Sequence, residues 1–196
     1  METILGLCVG TGLAAACGFR VFVPLLVLGI GARTGLVSLN DHVGFLSSYP
    51  ALVALAAASV LEVVAYWVPW IDHALDAVAS PMAVVGGTLA AASQFGDVGP
   101  FLTWSAALVA GGGTAAASQA ANVSVRGVST VTTAGVFNPI ISAVQSAIAA
   151  VLSILAVVVP IVAAGLVLCL VAVALVWWRR RAGRAGRRVS GRLVAA

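Results

Sequence analysis

Residues 4–30 read ILGLCVGTGLAAACGFRVFVPLLVLGI, an apolar stretch of membrane-spanning length that is interrupted in its middle. Gly10, Gly12, Gly18 and Pro24 all weaken or bend a helix, and Arg20 places a charge near the centre of the stretch. A plain lipid-facing helix tolerates neither feature. The stretch therefore predicts a broken or kinked membrane pass, whose freed backbone groups are satisfied by protein or water.

The composition of the whole chain indicates the same environment. Of 196 residues, 62% are hydrophobic and 8% are charged, whereas about a quarter of the residues in a soluble domain are charged. A chain with so few charges cannot cover a water-facing surface, so lipid has to cover it. We predict an all-α, polytopic membrane helix bundle of about six passes, with membrane lipids as its partners.

The basic residues are concentrated in a short C-terminal tail. All ten are arginine, and seven of them lie in residues 179–196. Arginine clusters beside a membrane span stay in the cytoplasm and can contact anionic headgroups. Nucleic-acid binding is a poor interpretation, because the rest of the chain offers no soluble domain to present such a surface. We predict one transmembrane domain, residues 1–178, and an Arg-rich cytoplasmic tail, residues 179–196.

Five further apolar segments follow the first. The second carries Glu62 and ends in Tyr and Trp residues that are typical of a membrane interface. The third is short for a bilayer of about 30 Å, and the fourth fades into a polar run, residues 118–138. The segments cover about residues 48–70, 81–95, 101–117, 139–159 and 161–178. Six passes place both termini in the cytoplasm, in a protein of the cell inner (cytoplasmic) membrane.

The two halves of the chain resemble each other. Gly12–Cys17 (GLAAAC) matches Gly113–Ser118 (GTAAAS), and the apolar run that ends at Pro69 matches the run that ends at Pro160. Chance is the alternative, because alanine-rich segments match easily. A true repeat would make residues 5–95 and 105–178 inverted three-pass units, as in many transporters, with a binding site between their broken first and fourth segments.

Three charges fall inside the predicted membrane domain: Arg20, Glu62 and Arg126. Each needs a partner or a water-filled cavity, because an isolated charge in hydrocarbon costs a few kcal/mol. An ion pair between Arg20 and Glu62 would neutralise both. Such a pair either only locks the bundle together or meets an ionic substrate, a proton or a lipid headgroup, and the sequence leaves both readings open.

Two weaker candidate sites lie nearby. Arg126 and Asn138 belong to a run rich in hydroxyl groups, which either lines a polar cavity or lies on the cytoplasmic surface. Asp72 and Asp76 would share one face of a helix. With His73 and Glu62 nearby they could form a cation site of oxygen ligands; a solvated connector is the favoured alternative. Because no catalytic or metal-binding motif is present, we predict neither an enzyme nor a cofactor.

Several short motifs resemble the bacterial membrane proteins of domain-of-unknown-function family 4126. They are Gly18-Phe19-Arg20 with Pro24, the Glu62 segment with Pro69 and Asp72, and the run Arg126, Ser129, Thr130, Gly135, Asn138, Pro139 and Ser142. The resemblance covers roughly residues 5–165 and implies a membrane protein without an assigned function.

The chain departs from the family pattern in two places. The family pattern has a lysine before the second-half arginine, where this chain has Asn122, and an acidic pair where this chain has Gln145 and Ser146. If those charges matter for activity in relatives, these departures imply a changed specificity or a lost activity.

We therefore expect a small transporter or flippase for an anionic solute or lipid headgroup. The expected substrate-binding residues are Arg20, Glu62, Arg126 and Asn138, since a guanidinium favours phosphate or carboxylate. The alternative is a non-transporting scaffold or accessory subunit, in which the buried charges only fix helix packing. A homo-oligomer is compatible with either.

Overall fold

The computed structural model describes residues 2–65, 69–95, 99–133, 136–167 and 169, and the side chains of these residues except 2, 3 and 69–76. The described residues are helical and contain no β-strand, so the all-α prediction is confirmed. The α-helices are α1 (Glu2–Cys17), α2 (Phe22–Arg33), α3 (Tyr49–Ala65), α4 (Pro69–Ala92), α5 (Pro100–Ala107), α6 (Gly113–Thr133) and α7 (Asn138–Val158). A 3₁₀ helix, Asp41–Ser47, precedes α3, and a π-helix, Leu108–Gly112, joins α5 to α6.

The chain divides into two compact units, Met1–Ala164 and Gly165–Ala196. The first contains all the helices named above. The predicted tail and most of the predicted sixth segment lie outside the described residues. The domain bounds 1–178 and 179–196 therefore stay a prediction.

Helix α1 is the centre of the first unit. Residues 12–18 are buried on every side of the helix, as is expected of a helix that other helices surround. Its small residues allow close approach on two faces: Gly10 lies against Ala91 of α4, and Gly12 lies against Ala156 of α7. Small residues at such contacts are typical of helix packing in lipid.

The first apolar stretch does not form one pass. At Gly18–Val21 the chain turns back on itself, so α1 and α2 form a hairpin. Near the end of α7, Gly12 of α1 lies beside Ala156, and near its start Arg20 bonds to Ser142. Gly31 of α2 is again at the end of α7, beside Val157, so α2 runs back along α1. The sequence predicted a broken or kinked pass without locating the break. The structure shows the break at Gly18–Val21, and the two helices beside it run antiparallel rather than along one pass.

The second and third segments have different bounds from those predicted. Helix α3 ends at Ala65, and α4 begins at Pro69 and runs to Ala92. Asp72 and Asp76 therefore lie in the first turns of α4, so the third segment is extended by the stretch that the sequence favoured as a connector. The backbone places them four residues apart on a helix; their side chains are not described.

The fourth segment is interrupted without being broken. Helical conformation continues from Pro100 to Thr133, and the interruption is a widened π turn that includes Gly111 and Gly112. The polar run after it is helix α6 rather than a surface loop. The first segment thus reverses at its interruption and the fourth does not; the inverted repeat stays a prediction.

Helix α7 agrees with the predicted fifth segment to within a residue at each end. Within the described residues it is the one helix long and apolar enough to cross a membrane. The 3₁₀ helix and α3 pass the same test together, although they are bent by 68°. Length and apolar composition thus give weak support for membrane association.

Helix α4 and the π-helix approach each other backbone to backbone. A Cβ at Gly111 would overlap the carbonyl oxygen of Gly87 and the methyl group of Ala91, whereas a Cβ at Gly113 would meet no atom within 4 Å. Both glycines are in helical conformation, so they differ only in the space that is available to a Cβ atom.

This contrast predicts opposite results for two neighbouring substitutions. Gly111→Ala should lower the free energy of unfolding by about 1–3 kcal/mol, because overpacking forces the two helices apart. Gly113→Ala should be neutral or slightly stabilising, since alanine favours helix over glycine. Thermal unfolding of the two purified variants in detergent checks this. Equal midpoints for both variants would contradict the close contact.

Candidate functional site

The tip of the α1–α2 hairpin, Gly18–Val21, is pressed against α6. A Cβ at Gly18 would overlap the side chain of Ser118 and the carbonyl oxygen of Ala115. The amides of Gly18, Phe19 and Arg20 bond to carbonyls of Ala15 and Ala16 and close the end of α1. Only glycine fits at this contact, so the tip lies directly against α6.

Arg20 extends from this tip to α7. Its side chain is 1% exposed. Its Nε donates to Ser146 Oγ at 2.9 Å, and its Nη2 donates to the carbonyl oxygen of Ser142 at 3.1 Å and to the Ser142 hydroxyl. The fork of the guanidinium thus spans one turn of α7, because residues four apart share a helix face.

Glu62 of α3 caps the other side of the tip. Its Oε1 accepts from the amide of Val21 at 2.9 Å, and its Oε2 accepts from the amide of Phe22 at 3.2 Å. These amides open α2 and have no partner within that helix. A carboxylate at a helix N-terminus also interacts favourably with the helix dipole. Arg20 and Glu62 attract each other across the tip.

The structure therefore brings Arg20 and Glu62 to one place, as the sequence suggested, with partners that the sequence reasoning did not name. Glu62 caps α2, and Arg20 ties the tip to Ser142 and Ser146 of α7. A signal for those two serines was available: they lie four residues apart in a mostly apolar helix.

A second set of buried polar side chains lies on α6 and α7, and hydrogen bonds join the two helices at two places. On α6 these are spaced by three or four residues, which places them on one face. We call this set the polar seam; it consists of Gln119, Asn122, Arg126 and Ser129 of α6 and Asn138, Ser142 and Gln145 of α7.

Arg126 is the charged residue of the polar seam. It is 3% exposed, and its Nε donates to Gln145 Oε1 at 3.0 Å. Near the end of α6, Asn138 Nδ2 donates to Thr130 Oγ1 at 3.3 Å. The predicted site residues Arg126 and Asn138 thus lie in one seam. Arg20 joins it through Ser142.

The opposite face of α6 is apolar and exposed. Val125, Val128 and Val131 are exposed, Val131 to 88%. A helix on the surface of a soluble protein has the reverse arrangement, with apolar residues inward and polar residues outward. Helix α6 is therefore inside out.

Oδ1 of Asn122, in the polar seam, is buried and has no hydrogen-bond partner among the described residues. Buried polar atoms are nearly always bonded to protein or ordered water. Oδ1 of Asn122 departs from this pattern within the part of the chain that the structure describes.

The candidate cation site is only partly described. Helix α4 runs antiparallel to the π-helix and α6, because Ala91 faces Gly111 and Gly87 faces Ala115. The turns that carry Asp72 and Asp76 therefore extend toward the end of α6 that carries Arg126. Among the described residues no group of three or more His, Cys, Asp or Glu could hold a metal ion.

An open cleft of about 600 Å³ lies at the other end of α1, and its lining includes neither Arg20 nor Arg126. The loop before the 3₁₀ helix forms one wall. Asn40 joins this loop to the end of α4. Its backbone N–H donates to the carbonyl oxygen of Ser93 at 3.0 Å, and its side-chain Nδ2 donates to the carbonyl oxygen of Phe95 at 2.8 Å.

The sequence profile of a domain of unknown function, DUF4126, matches residues 7–180. The chain belongs to the DUF4126 family. No curated protein and no solved structure matches it. The resemblance found in the sequence is thus confirmed, and it carries no assigned activity.

The positions at which the resemblance implied other residues fall at the site. Asn122 lies in the polar seam, one helical turn before Arg126. Gln145 accepts a hydrogen bond from Arg126, and Ser146 accepts one from Arg20.

The contacts at the tip predict the effect of removing its charges. Arg20→Ala and Glu62→Ala should each lower stability by about 3–5 kcal/mol, because each leaves an uncompensated buried charge. The double substitution should recover part of this loss. Recovery should stay incomplete, since the α2 amides and the α7 serines also lose partners. Yield of folded protein and thermal unfolding in detergent measure the effects; silent single substitutions would show that both groups face water.

Proposed function

We propose that this DUF4126 chain is a polytopic membrane protein whose polar seam binds an anionic group and carries it across the bilayer, as a small transporter or flippase. One observation carries the proposal: two buried arginines, Arg20 and Arg126, lie in a polar interior that an apolar outer surface encloses. Ionisable side chains inside a membrane domain are costly and usually serve a function.

The membrane environment is supported by the inside-out helix α6 and by the lengths of α1 and α2. At 1.5 Å per residue these two helices are about 24 and 18 Å long, too short to cross a hydrocarbon core of about 30 Å. In our proposal they form a re-entrant hairpin, which is tolerated in a bilayer where protein surrounds it.

This hairpin changes the proposed number of crossings. Helices α3, α4, α5–α6 and α7 and the apolar stretch 161–178 then cross the membrane, which makes five crossings rather than six. With the Arg-rich tail in the cytoplasm, the start of α1 lies on the opposite side. The inverted relation of residues 5–95 and 105–178 remains a separate hypothesis on which the proposal does not depend.

The charge of the ligand follows from the groups that reach the seam. In many transporters, the N-terminus of a half-helix binds the anionic group of the substrate. Here Glu62 already binds the N-terminus of α2. In our proposal the guanidinium groups of Arg20 and Arg126 therefore recognise the anion. Arginine suits this role because it stays charged and presents parallel donors to phosphate or carboxylate.

The scaffold alternative has an observation in its favour. Arg20 and Glu62 each join two elements, and these bonds alone would justify both charges structurally. A substitution of Arg126 distinguishes the transporter from the scaffold. In a scaffold only the packing of the Arg126 side chain matters, whereas a transporter needs the charge of Arg126.

The test measures movement of two anionic probes by purified protein in liposomes. One probe is fluorescent (NBD-labelled) phosphatidylglycerol, whose inner-leaflet pool becomes accessible to dithionite only if it flips. The other is radiolabelled inorganic phosphate, whose uptake reports a free anion. We expect movement of at least one probe above that in protein-free liposomes. Arg126→Gln should reduce it about tenfold or more, because a hydrogen bond to a charged group contributes about 1.5–3 kcal/mol.

Arg33→Gln is the matched control. Arg33 is exposed, lies over the Tyr49 ring at 3.5 Å and belongs to the far end of α2, so its substitution should leave movement unchanged. Thermal unfolding confirms that both variants are folded. Wild-type protein that moves neither probe would reject transport of these anions and favour the scaffold.

A further inference from the structure

The open cleft at the start of α1 has room for a ligand and a wall that is held in place. Its volume of about 600 Å³ falls in the range of small-molecule pockets, about 300–1,000 Å³. The loop that forms one wall is joined to the end of α4 by the two hydrogen bonds of Asn40. A third bond, from Gln94 Nε2 to the carbonyl oxygen of Ser38 at 3.3 Å, joins the same two elements. The cleft is therefore formed before any ligand enters.

The side-chain donors of the cleft lining are used within the protein. Gln94 Nε2 spends its two hydrogens on the carbonyl oxygen of Ser38 and on Ser93 Oγ, at 3.3 and 3.1 Å. Because a carbonyl oxygen can only accept, the bond to Ser38 fixes which end of the Gln94 amide is the nitrogen. The Ser93 hydroxyl in turn donates to the carbonyl oxygen of Ala90 at 2.7 Å. These donors are thus not available to a ligand.

The same side chains leave oxygen acceptors available. Oε1 of Gln94 and the carboxylate of Asp41 form no hydrogen bond with another described residue. Asp41 is exposed, and it is the charged residue among the described residues of the lining. A cleft that offers acceptors and a negative charge favours a cation that donates hydrogen bonds.

The rest of the lining indicates that the cation carries an apolar part. Leu5 and Val9 of α1, and Val157 and Pro160 at the end of α7, line the cleft beside the polar groups. In the membrane arrangement proposed above, the start of α1 and the ends of α4 and α7 lie at one surface of the bilayer, where lipid headgroups meet water. A lipid headgroup and a small amphiphilic cation can both reach this position.

We propose that the open cleft binds a primary ammonium group, on a lipid headgroup or on a free alkyl amine, with Asp41 and Oε1 of Gln94 as its acceptors. A primary ammonium carries a positive charge and three N–H donors. A quaternary ammonium has no donor and is usually bound by a cage of aromatic side chains; among the described residues of the lining, Phe95 is the one aromatic residue. The cleft is separate from the polar seam, and the proposal stands whether or not the seam carries an anion.

The experiment compares primary with quaternary ammonium probes on the purified protein in a non-ionic detergent. One pair is phosphatidylethanolamine and phosphatidylcholine with the same acyl chains, and the other is hexylamine and hexyltrimethylammonium. A ligand that binds the folded state raises the midpoint of thermal unfolding in a concentration-dependent way, so a titration gives the affinity. We expect the primary member of at least one pair to bind about tenfold more tightly than its quaternary counterpart, because hydrogen bonds of a charged donor are lost in the latter.

Three variants test the role of Asp41. Asp41→Asn keeps the shape of the side chain and should weaken binding of the primary ammonium about fivefold, as expected for a charge pair at an exposed site. Asp41→Glu keeps the charge and should bind nearly as tightly as wild type. His42→Asn is the matched control, because His42 is the next residue of the same 3₁₀ helix, is exposed and lies outside the lining. Equal unfolding midpoints without ligand confirm that the variants are folded.

The two pairs also identify the source of the ammonium group. Tighter binding in the phosphatidylethanolamine pair alone assigns the cleft to a lipid headgroup, and tighter binding of hexylamine assigns it to amines in general. Equal affinity within both pairs, or no binding of either primary probe, would overturn the proposal. So would an Asp41→Asn variant that binds as tightly as wild type. Each of these results leaves movement of anions by the polar seam untouched, because that is measured separately in liposomes.

Discussion

A buried arginine at a helix break is the constraint on which the rest of the structure depends. Arg20 is enclosed at the turn between two short helices, where the end of α1 leaves carbonyl groups and the start of α2 leaves amide groups without partners within the helices. The amides of the turn close the end of α1, a carboxylate complements the start of α2, and the guanidinium bonds to α7. Glu62 caps the amides of α2, and the glycine at position 18 lets the tip approach α6 closely enough for Arg20 to reach α7. Removing any one of these three features would leave a polar group buried without a partner.

The composition and the apolar periods of the sequence were enough to predict helices throughout and the bounds of α7. They were not enough to predict the direction of the chain after Gly18, because glycine and arginine indicate where a helix ends and not where the next one goes. That direction depends on contacts with α7 and α3, which are distant in sequence. The sequence left open whether the segment with Asp72 and Asp76 is a connector or extends the third pass, because two carboxylates in a short segment fit either; the structure shows the extension.

The polar seam is not apparent when polarity is averaged over the sequence that contains it. The run from 118 to 138 is polar on the whole, and its mean polarity resembles that of a loop. Its polar residues nevertheless recur at helical spacing, and valines occupy the other face. That periodicity, read with polar residues inward, would have predicted α6 and its buried arginine. The partners of the two arginines could not be predicted in the same way, since they depend on the register between α6, α7 and the hairpin.

The central claim is that α6 turns its polar face inward because lipid surrounds its apolar face. Spin labels at Val125, Val128 and Val131, in a protein whose native cysteines have been replaced, test it in lipid bilayers. A label at the exposed His42 serves as the water-facing reference. The account predicts that labels at Val125 and Val128 collide readily with oxygen, which concentrates in lipid, and rarely with a water-soluble nickel complex. Labels at all three valines that collide with nickel as often as the label at position 42 would contradict it.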